Sequence, residues 1–253
     1  MKRLFCFLLS LFLPCLCLFG CAGPSPSETE TSHETTQGET ETYAYKIDIS
    51  PYWEALNRTN LLLANKTHPT GPDYEPEQIQ NIPEEYLINH KELTGEKTMV
   101  LALTAMMMEM RADGIRDNYV TSAYRSYSYQ ENLYRYYINL EMSRHSGWTE
   151  EQAEELVLTY SAKPGTSEHQ TGLCIDFMTT SMTDLDESYE QTAAFDWLAE
   201  NAFRFGFILR YPKEKENITG YAYEPWHYRF VGLAAASAIQ KGQMTLEEYL
   251  EQN

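Results

Sequence analysis

The spacing of apolar and polar residues changes several times along the chain, and each change marks an element. Lys97–Ala112 (KTMVLALTAMMMEMRA) has helix-forming composition and no breaker, with Gly114 as a stop. Its methionines at 106, 107, 108 and 110 read as core filler. Ser128–Leu140 predicts a second helix, with Ser126 or Ser128 near its cap. Thr149–Leu158 opens with TEEQ, a capping-box pattern, and predicts a third. In Thr192–Phe205, the side chains of Phe195, Leu198, Ala202 and Phe205 share one helical stripe. Leu233–Gln240 and Thr245–Leu250 predict two more helices. Short β-rich runs fall at Tyr119–Ala123, Leu173–Phe177, Phe207–Tyr211 and Tyr223–Phe230. Asn60–Thr70 reads as an entry strand or turn leading into a proline loop, and Lys163-Pro164-Gly165 as a turn. Helices and strands mix without regular βαβ alternation, which predicts an α+β class.

The first twenty residues stand outside this pattern. Lys2 and Arg3 precede an apolar run, Leu4–Phe19, that is short for a bilayer span of about 20 residues. The run ends Leu18-Phe19-Gly20-Cys21, resembling a bacterial lipobox, so residues 1–20 read as a lipoprotein signal peptide and Cys21 as the lipidated residue. Residues 22–45 follow with five glutamates, no base and no apolar period, and read as a disordered acidic tether. Such a coil spans roughly 25–30 Å. The expected folded domain is 46–253, lipid-anchored on the outer side of a bacterial cell membrane and monomeric.

Loss of residues 1–20 removes Lys2 and Arg3 and no acid, so the net charge deepens from −18 to −20. A surface this acidic repels nucleic acid and anionic headgroups. Only Cys21 and Cys174 would survive. With lipid on Cys21 no intrachain disulfide is possible, so the domain must stand on its core.

The stretch SEHQTGLCIDF (167–177) carries the first chemistry. His169 precedes the strand, Asp176 lies in it, and Gly172 lets the backbone turn between them. Strand alternation puts Leu173, Ile175 and Phe177 on one apolar face, and Cys174 and Asp176 on the other. A second cluster, YEPWHYRF (223–230), places Glu224 three residues before His227, with Pro225 holding Glu224 extended. Two imidazoles and a carboxylate suit zinc and leave a fourth position for water. Glu224 would be free to act as general base. A histidine near an aspartate is, taken alone, more often a structural pair.

SEHQTGLCID matches S-x-H-x-x-G-x-x-x-D, and EPWHYR matches E-x-W-H-x-R. In this order they resemble VanY-type D-alanyl-D-alanine carboxypeptidases. NKTHP (65–69), SAYRSYSYQ (122–130) and GFILRYP (206–212) extend the likeness over about residues 60–250. The resemblance implies the hedgehog/DD-peptidase zinc fold, a small antiparallel sheet with flanking helices. It implies zinc on His169, Asp176 and His227, with Glu224 as catalytic base. Arg125 would face the substrate, at the oxyanion or at the C-terminal carboxylate. Ser167 and Gln130 would help bind the peptide end, and Trp226 would wall the metal. Arg229 would lie behind the site or face solvent. The implied reaction removes the C-terminal D-alanine from peptidoglycan stem peptides.

Cys174 departs from the family, which usually has alanine there. It is expected to be a small buried replacement; the sharper readings are a fourth ligand or an oxidation-sensitive thiol. The nearest rival function is an LD-carboxypeptidase acting on tetrapeptide stems. A non-catalytic zinc-containing wall-binding lipoprotein and a Cys174–His169 thiol hydrolase are the others. His33, His68, His90 and His145 receive no metal role.

Overall fold

The computed structural model describes residues 43–252. In chain order come α1 (Trp53–Leu56), β1 (Ile79–Asn81), β2 (Thr94–Glu96), α2 (Lys97–Ala112), β3 (Tyr119–Ser122), α3 (Tyr127–Arg144) and α4 (Glu150–Val157). They are followed by β4 (Cys174–Met178), α5 (Ala193–Asn201), β5 (Phe207–Leu209), α6 (Glu216–Thr219), β6 (His227–Phe230), α7 (Leu233–Gly242) and α8 (Leu246–Glu251). The α+β class is as expected, with a two-stranded sheet β1–β2 and a four-stranded antiparallel sheet ordered β3-β4-β6-β5. The signal peptide, Cys21 and most of the tether lie outside the described residues. Tyr43 and Tyr45, at the end of the stretch read as tether, flank Arg204, whose guanidinium sits 5.3 and 4.9 Å from their rings.

Helix α2 is the central post. The Glu96 carboxylate accepts from Thr98 N at 2.7 Å and Met99 N at 3.1 Å, which satisfies two of the helix's free donors. Ten of its residues are buried, among them Met106, Met107 and Met110, whereas Met108 is exposed. The apolar face of β4 packs onto this helix's core, with Leu173, Ile175 and Phe177 all at 0% exposure. Truncating Phe177 to alanine there would cost about 3–5 kcal/mol.

Several boundaries moved for local reasons. Helix α3 runs past both expected ends; Ser126 sets its start, capping it by accepting from Tyr129 N. The Thr149–Gln152 capping box forms as the sequence predicts. The helix expected over Thr192–Phe205 is α-helical only to Asn201 and tightens into a 3-10 turn over Ala202–Phe205, ending at Gly206 with φ 78°. Asn60–Leu63 forms no strand, although its apolar run suits one. The Arg229 guanidinium takes the carbonyls of Asn60 and Leu62 instead, at 3.3 and 2.8 Å. Tyr223–Trp226 likewise stays outside the ladder, and β6 begins at His227.

Candidate metal centre and active site

Register brings the two sequence clusters together. Asp176 on β4 pairs directly with His227 on β6, and Cys174 pairs with Arg229. These four side chains therefore share the sheet face turned away from the α2 core. His169 arrives from the turn Glu168–Thr171, which ends at Gly172 with φ 69°. A Cβ on Gly172 would meet Glu96 N at 3.0 Å, so both the backbone sign and the close approach call for glycine.

The two rings converge on Asp176. His169 Nε2 lies 3.2 Å from Asp176 Oδ2, and His227 Nδ1 lies 2.9 Å from Oδ1. Each ring has its other nitrogen held from behind. His169 Nδ1 contacts Ala123 O at 2.6 Å, and His227 Nε2 contacts Glu168 Oε2 at 3.0 Å. Such outward tethers fix ring orientation and turn the other nitrogens inward, where they could hold a metal ion. The rings stand edge to face, 5.0 Å apart at an interplanar angle of 89°. Asp176 Oδ1 is buried and has no hydrogen-bond partner despite its short approach to His227. Two imidazole nitrogens and a buried carboxylate packed within 3.2 Å fit the donors of a shared cation. The donor chemistry of two imidazoles and a carboxylate matches zinc. Ligand atoms of His169, Cys174 and His227 also lie within 4.8 Å of one another, so the thiol faces the same focus.

A cleft of about 460 Å³ opens over this cluster, lined by Arg125, Ser167, His169, Asp176, Glu224, Trp226 and His227 among others. Burial lifts the Glu224 carboxyl to about 7, Asp176 adds to the rise, and the neighbouring histidines and Arg125 oppose it. Its Oε2 lies 3.6 Å from His227 Nδ1. Arg125 follows β3, and its backbone N–H donates to His169 O at 3.1 Å, which ties the segment after β3 to the turn that carries His169. The Arg125 Nε is buried without a partner.

Gln130 is buried behind the cleft wall; its amide donates to Ala162 O at 2.8 Å and supports the wall formed by residues 161–162. Trp226 does line the cleft while packing partly against the core. Arg229 is fully buried rather than solvent-facing.

Sequence reading missed Glu168. It is buried at 2% exposure and receives Arg210 Nε at 2.8 Å and Arg229 Nη1 at 2.7 Å. Burial works against its charge, but the two guanidiniums and His227 outweigh this and hold it well below the usual carboxylate range. Arg210 continues to Glu247 on α8 through two bonds of 2.9 and 2.6 Å. Tyr211 was missed as well; its ring lies 4.8 Å from that of His227 and 4.7 Å from that of Tyr221. An acid directly before a motif histidine was the available signal for Glu168.

Comparison with known proteins gives consistent results. The family model VanY, D-alanyl-D-alanine carboxypeptidase, matches residues 92–233. The putative carboxypeptidase YodJ of Bacillus subtilis (strain 168) is 34% identical, covering 92% of this chain and 90% of its own. The solved LdcB LD-carboxypeptidase superposes with a TM-score of 0.65 at 36% identity, covering 75% of this chain and 84% of that one. A mutant of the vancomycin resistance D,D-pentapeptidase VanY, solved in complex with Zn(II), gives 0.60 at 34% identity, covering 75% and 98%.

Proposed function

The chain belongs to the VanY family of D-alanyl-D-alanine carboxypeptidases, and from that premise we propose how it works. It is a zinc carboxypeptidase that removes the C-terminal D-alanine from peptidoglycan stem peptides, with His169, Asp176 and His227 as the metal ligands. The observation that carries this reading is the meeting of both imidazoles on Asp176, whose Oδ1 is buried without a hydrogen-bond partner.

Bound there, zinc would polarise the scissile carbonyl and acidify an attacking water. Glu224, at the cleft wall with its raised carboxyl, takes the proton from that water and passes it to the departing amine. Arg125 brings a guanidinium to the same cleft, suited to the developing oxyanion or to the peptide's terminal carboxylate. These two roles separate in kinetics, since the first lowers kcat and the second raises KM when the charge is removed. Ser167 and Trp226 shape the wall that receives the peptide end.

The likeness to the LdcB LD-carboxypeptidase supports a second reading, cleavage of the L-residue–D-alanine bond in tetrapeptide stems. Mass spectrometry of pentapeptide and tetrapeptide stems, each incubated with and without chelator, decides between them. Chelator-sensitive loss of one alanine from the pentapeptide supports the first reading; loss from the tetrapeptide alone supports the second. No metal-dependent loss from either would overturn both.

The signal-like start and Cys21 support a lipid-anchored monomer outside the cell membrane, with the acidic stretch as its leash. Metabolic fatty-acid labelling that disappears in Cys21→Ala is the expected result, and labelling that persists would refute the anchor.

A further inference from the structure

The mechanism above uses three of the side chains that converge on the centre. We infer that Cys174 is a fourth ligand, so that zinc is held by two imidazoles, one carboxylate and one thiolate. This rests on the zinc reading and goes beyond it.

Three independent features point the same way. First, strand alternation and register put Cys174 on the face of Asp176 and His227, two residue pairs along β4 and β6. Second, its sulfur and the nitrogens of His169 and His227 lie within 4.8 Å of one another. Donors sharing one zinc at ordinary bond lengths stand roughly 3–4 Å apart, so a small contraction brings all of them into range. Third, Asp176 Oδ1 is buried without a hydrogen-bond partner and lies 2.9 Å from Nδ1 of His227, one of those two rings. Cys174 is itself at 0% exposure, so no solvent competes for its sulfur. A soft thiolate is a preferred zinc donor. On binding, the thiol proton leaves to solvent and a sulfur lone pair forms the bond; nothing is oxidised.

A fourth protein donor has a chemical consequence. It occupies the place that an open catalytic centre reserves for water, so engagement of substrate requires expanded coordination or withdrawal of the sulfur. It also adds a negative charge, which strengthens retention of the metal and weakens its pull on a carbonyl.

The test is X-ray absorption at the zinc edge on the full chain loaded with one equivalent of zinc, for the native sequence, Cys174→Ala and Cys174→Ser. Cys6, Cys15, Cys17 and Cys21 remain in all three. The expected native spectrum has a sulfur shell near about 2.3 Å beside nitrogen and oxygen at about 2.0–2.1 Å. Both variants should lose the sulfur shell and keep the rest. In chelator competition they should release zinc more than about tenfold more readily. A native first shell of nitrogen and oxygen alone overturns the inference while leaving the three-ligand centre intact. A sulfur shell that survives both substitutions overturns it too, because the sulfur then belongs to another cysteine. Failure of the native chain to take up zinc sinks this inference together with the proposed function.

Discussion

Glu168 stands behind His227, with its Oε2 3.0 Å from the ring Nε2. Its other oxygen is gripped by two buried guanidiniums, from Arg210 and Arg229. The carboxylate is thus immobilised, and it immobilises the imidazole in turn.

Replacing Glu168 by glutamine keeps the volume and removes the charge. Zinc affinity is expected to fall about 10- to 100-fold, the range for partners that orient a ligand. Metal titration of the purified variant measures this directly. An unchanged affinity would show that His227 needs no such support.

Glu224→Gln is expected to lower kcat by about 100- to 10,000-fold, the contribution of one general base. Bound zinc should remain stoichiometric. The pH dependence follows from the raised carboxyl. Burial holds Glu224 protonated below about 7, so the basic form is lost as pH falls through that value. A bound dication pulls the value lower. The acid limb of kcat/KM should therefore lie at or below pH 7 and vanish from the residual activity of the variant.

Metal uptake should release protons. Burial and Arg125 oppose charge on His169, but Cys174 and Asp176 outweigh them and push it up to about 9. Zinc requires the neutral ring, so protons compete with the metal below that value. Apparent zinc affinity should rise as pH increases toward about 9. Calorimetry in buffers of different ionisation enthalpy counts the protons, and an affinity flat between pH 6 and 9 would contradict this.

Arg210→Met removes one member of a buried ionic chain running from Glu168 to Glu247. Leaving either acid without its partner costs about 3–5 kcal/mol. The expected result is a markedly lower Tm, and the double variant Arg210→Met, Glu247→Met should regain part of it, since neutral partners remove one uncompensated charge. Thermal unfolding of both variants checks the pair.

The convergence of His169, Cys174, Asp176 and His227 was legible because those residues sit in short motifs with fixed local spacing. His169 and Asp176 are separated by one glycine turn and one strand, and alternation alone put Cys174 beside Asp176. The apolar face Leu173, Ile175 and Phe177 was legible by the same rule, and all three are buried. What lay hidden depends on contacts between distant segments. Nothing local to Gln130 reveals that Ala162 O captures its amide. Nothing in the run Asn60–Leu63 reveals that Arg229, far along the chain, takes its carbonyls and leaves it without a ladder. The role of Glu168 needed two guanidiniums from β5 and β6 territory before it could be seen.

The bond pair between Arg210 and Glu247 gives the last helix a reach beyond its own packing. A protease trimming the final turn or two of the polypeptide would strip Glu247 away and leave the Arg210 guanidinium leaning wholly on Glu168. The rear support of one zinc-facing ring would loosen from a cut made at the chain's far end. Carboxy-terminal clipping during purification is therefore expected to give metal-poor material of lowered stability.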